Sequence, residues 1–295
     1  MNTSPKRPKA NVLGVGIDAV NMEETLVRIE ANLRLRRKGY VCLAGVHGVM
    51  ECKRDPMLAR IFANAAITAP DGMPTVWVGH HQRLPQMERV AGPDLMLEVI
   101  SREVFRGYSH FLCGGKEGVA EELRDKLIGR YPNVKIVGTY SPPFGPMSPT
   151  QEEELLSRIN CVHPDIVWVG ISTPKQEKFM DRYLPLLDTT LLFAVGAAFV
   201  FHTGRIADCS DWIKRSGLQW LHRLLQDPKH LWKRYLRNIP PFLFYISLQL
   251  AGIRYYRLQR SKKTKESRAK ILEPAYAELK SPNKDHHILS DVATP

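Results

Sequence analysis

The chain has 295 residues, 44% hydrophobic and 24% charged, a globular composition long enough to bury a core with no disulfide or metal staple required. Its 42 Lys and Arg against 30 Asp and Glu leave a formal charge of +12, which calls for a polyanionic partner: nucleic acid, an anionic membrane surface or a phosphorylated substrate. The five cysteines (Cys42, Cys52, Cys113, Cys161 and Cys209) have no CxxC spacing, so no zinc or dithiol motif is expected and a reduced compartment is.

In chain order, residues 1–10 are polar and are expected to be disordered, with no apolar stretch to serve as a signal peptide. Short apolar runs then predict strands over 11–17, 39–44, 66–69, 109–113, 135–140, 166–170 and 191–195. Amphipathic spacing predicts helices between them, among others over 23–37, 94–104, 118–131 and 150–160. This alternation predicts an α/β body over 11–211, a mostly parallel sheet flanked by helices. Ligands of such sheets bind beyond the carboxyl ends of the strands, so chemistry is sought in the loops that follow them.

The charge is concentrated behind this body. Residues 212–270 hold 15 Lys and Arg against only Asp227 and Glu266, which accounts for the whole net charge. The same stretch carries Trp212, Trp220 and Trp232 and an apolar run over 239–253, broken by Pro240-Pro241 and bounded by Arg237 and Arg254. No run reaches the ~18 apolar residues of a spanning helix. A basic, aromatic, amphipathic segment predicts an appendage over 212–260 that lies on an anionic membrane. The alternative is a helix docked on the core with a solvated basic face. Residues 261–295 have little aromatic content and are expected to be disordered.

Four loops after predicted strands stand out. Asp71, between Pro70 and Gly72, could take a proton from an attacking hydroxyl, although Asp-Gly is also an ordinary turn pair. Gly114-Gly115…Gly118 could cradle a diphosphate on backbone N–H groups, or could simply let helix and strand pack closely. It matches neither GxGxxG nor a P-loop. Thr173-Pro174-Lys175-Gln176 reads as a capping box. Gly196-Ala197-Ala198-Phe199 follows the last strand. Arg89, ahead of a helix starting near Asp94, could clamp a phosphate. His47 and His202 are lone histidines near strand ends, and structural roles are the default for both.

Taken in order, these segments resemble the WecG/TagA/CpsF family, glycosyltransferase family 26. The resemblance is carried by Asp71-Gly72-Met73-Pro74, Arg89-Val90-x-Gly92-Pro93-Asp94-Leu95 and Phe111-Leu112-x-Gly114-Gly115. It continues through Gly170-x-x-x-Pro174-Lys175-Gln176-Glu177, Gly196-Ala197-x-Phe199 and Gly217-Leu218-Gln219-Trp220-Leu221-x-Arg223-Leu224, and covers roughly residues 12–236. It implies a Rossmann-like α/β core with a basic helical C-terminal appendage that reaches the membrane and helps complete the site. It implies inverting transfer of an N-acetylmannosamine-type or related sugar from a UDP donor to a polyprenyl-diphosphate-linked sugar. The setting is bacterial exopolysaccharide, capsule or cell-wall polymer synthesis at the cytoplasmic face of the inner membrane. No metal or other cofactor is implied.

Carried over by motif, Asp71 matches the catalytic base and Arg89 a basic residue near the reacting centre. Gln176, with Lys175, matches the polar pair beside the donor. Gly114 and Gly115 supply backbone donors, and Tyr140 opens an aromatic-bearing loop (140–144) near the nucleotide. Arg223, Lys233 and Arg234 match appendage cations that meet diphosphate. The chain also departs from the pattern. Ala44 stands where many members carry Thr, Val200 where they carry an acid, Asp208-Cys209-Ser210 where they carry Arg-Ala-Pro, and His230 where they carry Arg.

If membrane docking of the appendage assembles the site, a chain cut before Trp212 is expected to lose transfer while keeping a folded core. Self-association through the appendage's apolar faces is a second option for that surface. Nucleic acid is not expected as a partner, because the basic residues are interleaved with a long apolar run. A dehydrogenase is disfavoured because only the first two glycines of GxGxxG follow Val12. A catalytically idle family member remains the alternative that Ala44 and Val200 suggest.

Overall fold

The computed structural model describes residues 8–259 except Phe144. Residues 1–7 of the predicted 1–10 segment, and all of 261–295, therefore lie outside the described residues.

Six strands form one parallel sheet: β3 (Gly39–Ala44), β4 (Ile67–Pro70), β5 (Ser109–Gly114), β6 (Lys135–Tyr140), β7 (Ile166–Gly170) and β8 (Leu191–Ala194). Their order across the sheet is β4-β3-β8-β7-β5-β6, with every neighbouring pair parallel. The chain builds outward from β3 to one edge and from β5 to the other, then closes the middle with β7 and β8. All of β3 and β8 is buried. Alternation along a strand splits its side chains between two cores. Tyr40, Cys42 and Ala44 enter one, while Val41 and Leu43 enter the other with Trp168 and Phe193.

The predicted strand over 11–17 is instead a hairpin, β1 (Lys9–Val12) and β2 (Val15–Asp18), paired antiparallel with Val12 opposite Val15. The reason is local. Leu13 and Gly14 both take positive φ (52° and 91°), the geometry of a two-residue hairpin turn. Lys9 and Ala10, in the segment expected to be disordered, belong to β1, and Ala10 is fully buried.

The helices follow their signals closely: α1 (Met22–Arg34), α2 (Val46–Arg54), α3 (Pro56–Asn64), α4 (Met73–His81), α5 (Gly92–Ser101) and α6 (Val119–Arg130). They are followed by α7 (Pro149–Asn160), α8 (Lys175–Tyr183), α9 (Ala198–His202), α10 (Asp211–Arg215), α11 (Gln219–Gln226) and α12 (Pro228–Leu250). The last three form the appendage. Pro240 and Pro241 do not break it, because α12 runs straight through both. Proline at 241 removes the N–H that would satisfy the carbonyl of Arg237. Arg54 on α2 replaces it, donating Nη2 to that carbonyl at 2.8 Å and Nη1 to Asn238 Oδ1 at 2.7 Å. Among the described residues no helix is long and apolar enough to cross a membrane.

The appendage is part of the core rather than an attachment to it. Phe242 and Ile246 are buried in the same cluster as Tyr40, Val167 and Phe179. Gln249 fills the hairpin's backbone groups, accepting from Leu13 N at 2.8 Å and donating to Asn11 O at 2.6 Å. Beyond α12, Tyr256 O accepts from Asn11 Nδ2 and Gln259 N donates to Gly14 O. A chain cut before Trp212 would uncover this surface, so the truncated core is expected to be less stable than the full chain. Replacing Phe242 by Ala is expected to cost about 3–5 kcal/mol. Phe244, two residues on and 60% exposed, is the control. Chemical denaturation of Phe242→Ala and Phe244→Ala should show a large loss for the first and almost none for the second.

Candidate active site

The carboxyl ends of the strands open into a cleft of 1420 Å³. Its walls carry Asp71, Arg89, Gly115, Lys116, Lys175, Gln176, Arg223 and Arg234. Seven of the ten residues expected in the site therefore meet in one cavity. Gly114, Tyr140 and Lys233 do not. Gly114 pairs with Gly170 at the ends of β5 and β7, where a Cβ would stand 2.7 Å from the Gly170 backbone. Its lack of a side chain serves close packing. Tyr140 is buried at the end of edge strand β6, beneath the loop whose Pro142, Pro143 and Met147 reach the cleft. Lys233 is exposed, on the side of α12 where its Nζ lies 5.6 Å from the Trp232 ring.

Asp71 is held on the cleft floor by its neighbours' backbones. Its N–H donates to Ala44 O at 3.2 Å, and the backbone N–H of Gly92 at the start of α5 favours its ionised form. Gly92 must be glycine, because a Cβ there would meet Val195 O at 2.7 Å. On the other side stands Gly45, where a built Cβ would lie 3.6 Å from Asp71 Oδ2. Burial pushes the Asp71 carboxyl up to about 6, against the pull of Arg89, the Gly92 N–H and Arg223.

Four helix N-termini at this floor have no side-chain cap (Gly45 before α2, Gly72 before α4, Ala91 before α5 and Pro174 before α8), as is also true of α6, α9, α10 and α11. Away from it, Asn21, Asp55, Ser148 and Asp227 cap α1, α3, α7 and α12 in the ordinary way. The uncapped N–H groups leave partial positive charge facing the cleft. Two partly buried arginines add to it. Arg223 Nε and Arg234 Nε have no hydrogen-bond partner, and burial draws Arg223 below the usual guanidinium range. Arg223 also lies over the Phe201 ring, at 5.3 Å. Arg89 is fixed rather than free: it pairs with Asp94 at 2.7 Å and donates Nη2 to Gln219 Oε1 of the appendage at 3.1 Å.

The capping box expected at 173–176 does not form. Pro174 is the N-cap of α8, and Thr173 Oγ1 turns instead to Glu177 Oε1 at 2.8 Å. His47, read from sequence as structural, stands on the cleft wall one residue into α2. Burial, with Arg234 next, lowers it to about 4 and keeps it neutral. Trp77, half exposed on the wall, packs against the Gly217 turn that leads into α11. Neither aromatic group has a spacing that sets it apart in the sequence. His202 does take a structural place, bonded to Pro93 O at 3.0 Å. Among the described residues no group of three or more His, Cys, Asp or Glu is placed to hold a metal ion.

The sequence matches the profile of the glycosyl transferase WecG/TagA/CpsF family over residues 10–255. The chain belongs to this family. A relative from Bacillus subtilis (strain 168) is 29% identical over 183 residues, spanning 62% of this chain and 68% of the relative. It is named N-acetylglucosaminyldiphosphoundecaprenol N-acetyl-beta-D-mannosaminyltransferase. The family match runs through the hairpin, the sheet and all of α12, so the appendage falls within the family's own extent.

The raised pKa of the half-buried Asp71 has a consequence for stability. Its folded pKa lies above that of an unfolded carboxyl, so between roughly pH 4 and 6 the folded state keeps a proton that the unfolded chain has released. Stability therefore falls as pH rises through that window. Asp71→Asn removes the half-buried charge and is expected to be more stable than wild type by about 2–3 kcal/mol at pH 7. Denaturation at the two pH values should show the gap closing at pH 4.

Proposed function

We propose that this chain is an inverting glycosyltransferase that moves a sugar from a UDP-sugar to a polyprenyl-diphosphate-linked sugar without a metal. The observation that carries the reading is Asp71: a half-buried carboxyl pushed up to about 6, on the floor of a cleft that also carries arginines and uncapped helix N-termini. Near neutral pH such a group is ionised yet basic enough to take a proton, the condition for a general base. The acceptor hydroxyl attacks the anomeric carbon, Asp71 takes its proton, and UDP leaves from the opposite face. The charge that grows on the diphosphate needs cations and N–H dipoles. Arg223, Arg234, Lys116 and the four helix starts are the supply on this cleft.

The relative's name supports an acceptor of the undecaprenyl-diphosphate-linked N-acetylglucosamine type and a donor of the N-acetylmannosamine type. Val200, where the family resemblance implies an acid, stands on the cleft wall. The apolar side chains on the outside of the appendage (Trp212, Leu225, Trp232, Leu236, Leu243 and Phe244 are all at least 48% exposed) support docking on an anionic membrane. A lipid-linked acceptor would then arrive beside Ile239 and Leu243, which line the cleft on that side.

The test is UDP release from a panel of UDP-sugars in EDTA, with and without a short-chain polyprenyl-diphosphate-sugar acceptor. Wild type should release UDP only with acceptor present. Asp71→Asn should reduce that release by ~10²–10⁴-fold. A folded wild type that is silent with every donor, or a variant as active as wild type, would overturn the reading.

A further inference from the structure

Gln176 is expected beside the donor, yet its amide is fully engaged within the protein. Nε2 donates to Thr173 Oγ1 at 3.2 Å and to Glu177 Oε1 at 3.0 Å, and Oε1 accepts from Gly196 N at 3.0 Å. Both donor hydrogens are thus spent. Thr173 Oγ1 closes the triangle by donating to Glu177 Oε1 at 2.8 Å. Glu177 is fully buried and its Oε2 has no hydrogen-bond partner. It has no ion pair among the described residues, and burial raises its pKa above the ordinary carboxylate range.

A buried carboxyl with no cation and one idle oxygen is costly to keep unless its other oxygen does something. Here that oxygen gathers two donors at the point where the loops after β7 and β8 meet. Thr173 belongs to the first loop and Gly196 to the second, and both line the cleft. Gly196 has φ +56°, so the turn takes a conformation that few residues adopt unaided. Its N–H is tied to the opposite loop only through Gln176.

We infer that Glu177 is a positioning residue: it fixes the Gln176 amide, and through Gln176 it locks the Gly196 turn of the cleft floor. Gln176 is then a strut between two loops, and the groups presented to a bound donor from this side are the backbone of 196–197 and the neighbouring Lys175. What Glu177 contributes is an acceptor oxygen in a fixed place, not a charge. The functional part of this inference rests on the glycosyltransferase reading. Its structural part does not.

The experiment compares the full chain with Glu177→Leu, Glu177→Gln and Thr173→Val. Hydrogen–deuterium exchange is followed over residues 191–198, with β5 as the internal reference, alongside acceptor-dependent UDP release. Glu177→Leu and Thr173→Val should speed exchange at the Gly196 turn about tenfold while β5 stays protected. The same variants should raise the donor KM more than they lower kcat. Glu177→Gln keeps an acceptor oxygen in the same place and should restore both readouts to within about threefold of wild type. Unchanged exchange at the turn in Glu177→Leu would overturn the inference. So would a Glu177→Gln variant with wild-type exchange and no UDP release, because the carboxylate would then act in its own right. If Glu177→Leu does not fold, Thr173→Val carries the same comparison. If wild type releases no UDP, the proposed function fails and the exchange data alone decide the positioning role.

Discussion

The structure of the cleft is organised around one half-buried carboxyl group, Asp71. A carboxylate moved out of water loses several kcal/mol of solvation unless dipoles or cations replace it. Asp71 is placed where the sheet can provide them: at the carboxyl end of β4, between the starts of α2 and α5. The compensation is partial, and the remainder appears as a pKa raised to about 6. The other features of the cleft follow from that compromise. The helices that face the floor leave their N-termini uncapped, Gly92 lets a backbone N–H reach the carboxylate, and Arg89 and Arg223 stand near enough to attract it without pairing with it directly.

The appendage belongs to the same design. It supplies Arg223 and Arg234 to the cleft and Gln219 to Arg89, so the charge of the site depends on how α11 and α12 are seated. That seating is a matter of core packing. Phe242 and Ile246 enter the sheet's hydrophobic core, Arg54 repairs the helix at Pro241, and Gln249 seals the hairpin. A basic segment that reads from composition as a separate membrane arm is bound to the body by apolar and hydrogen-bonded contacts, while its outer face stays apolar and exposed.

Much of this was legible in the sequence, for physical reasons that also mark where it stopped being so. The parallel strands were readable because β3, β7 and β8 are buried on both faces and must be continuously apolar. The hairpin at the start was not, since Val12-Leu13-Gly14-Val15 differs from a continuous strand only by the positive φ that Leu13 adopts. The Asp71 motif looked locally like a turn and acquired a role only from its order among other motifs. Glu177 could not be distinguished from a surface acid, because its burial depends on α8 packing its first turn against the sheet. Pro240-Pro241 read as a break because the group that compensates for it, Arg54, is 183 residues away in the chain.

The most direct test of the central claim is the pH dependence of kcat/KM for acceptor-dependent sugar transfer, measured in EDTA between pH 4.5 and 8. If the half-buried Asp71 is the base, kcat/KM rises with pH, reaches half its plateau near pH 6 and then stays level. A flat profile across that range, or one that reaches its plateau already near pH 4, would mean that the ionisation of Asp71 does not control the reaction.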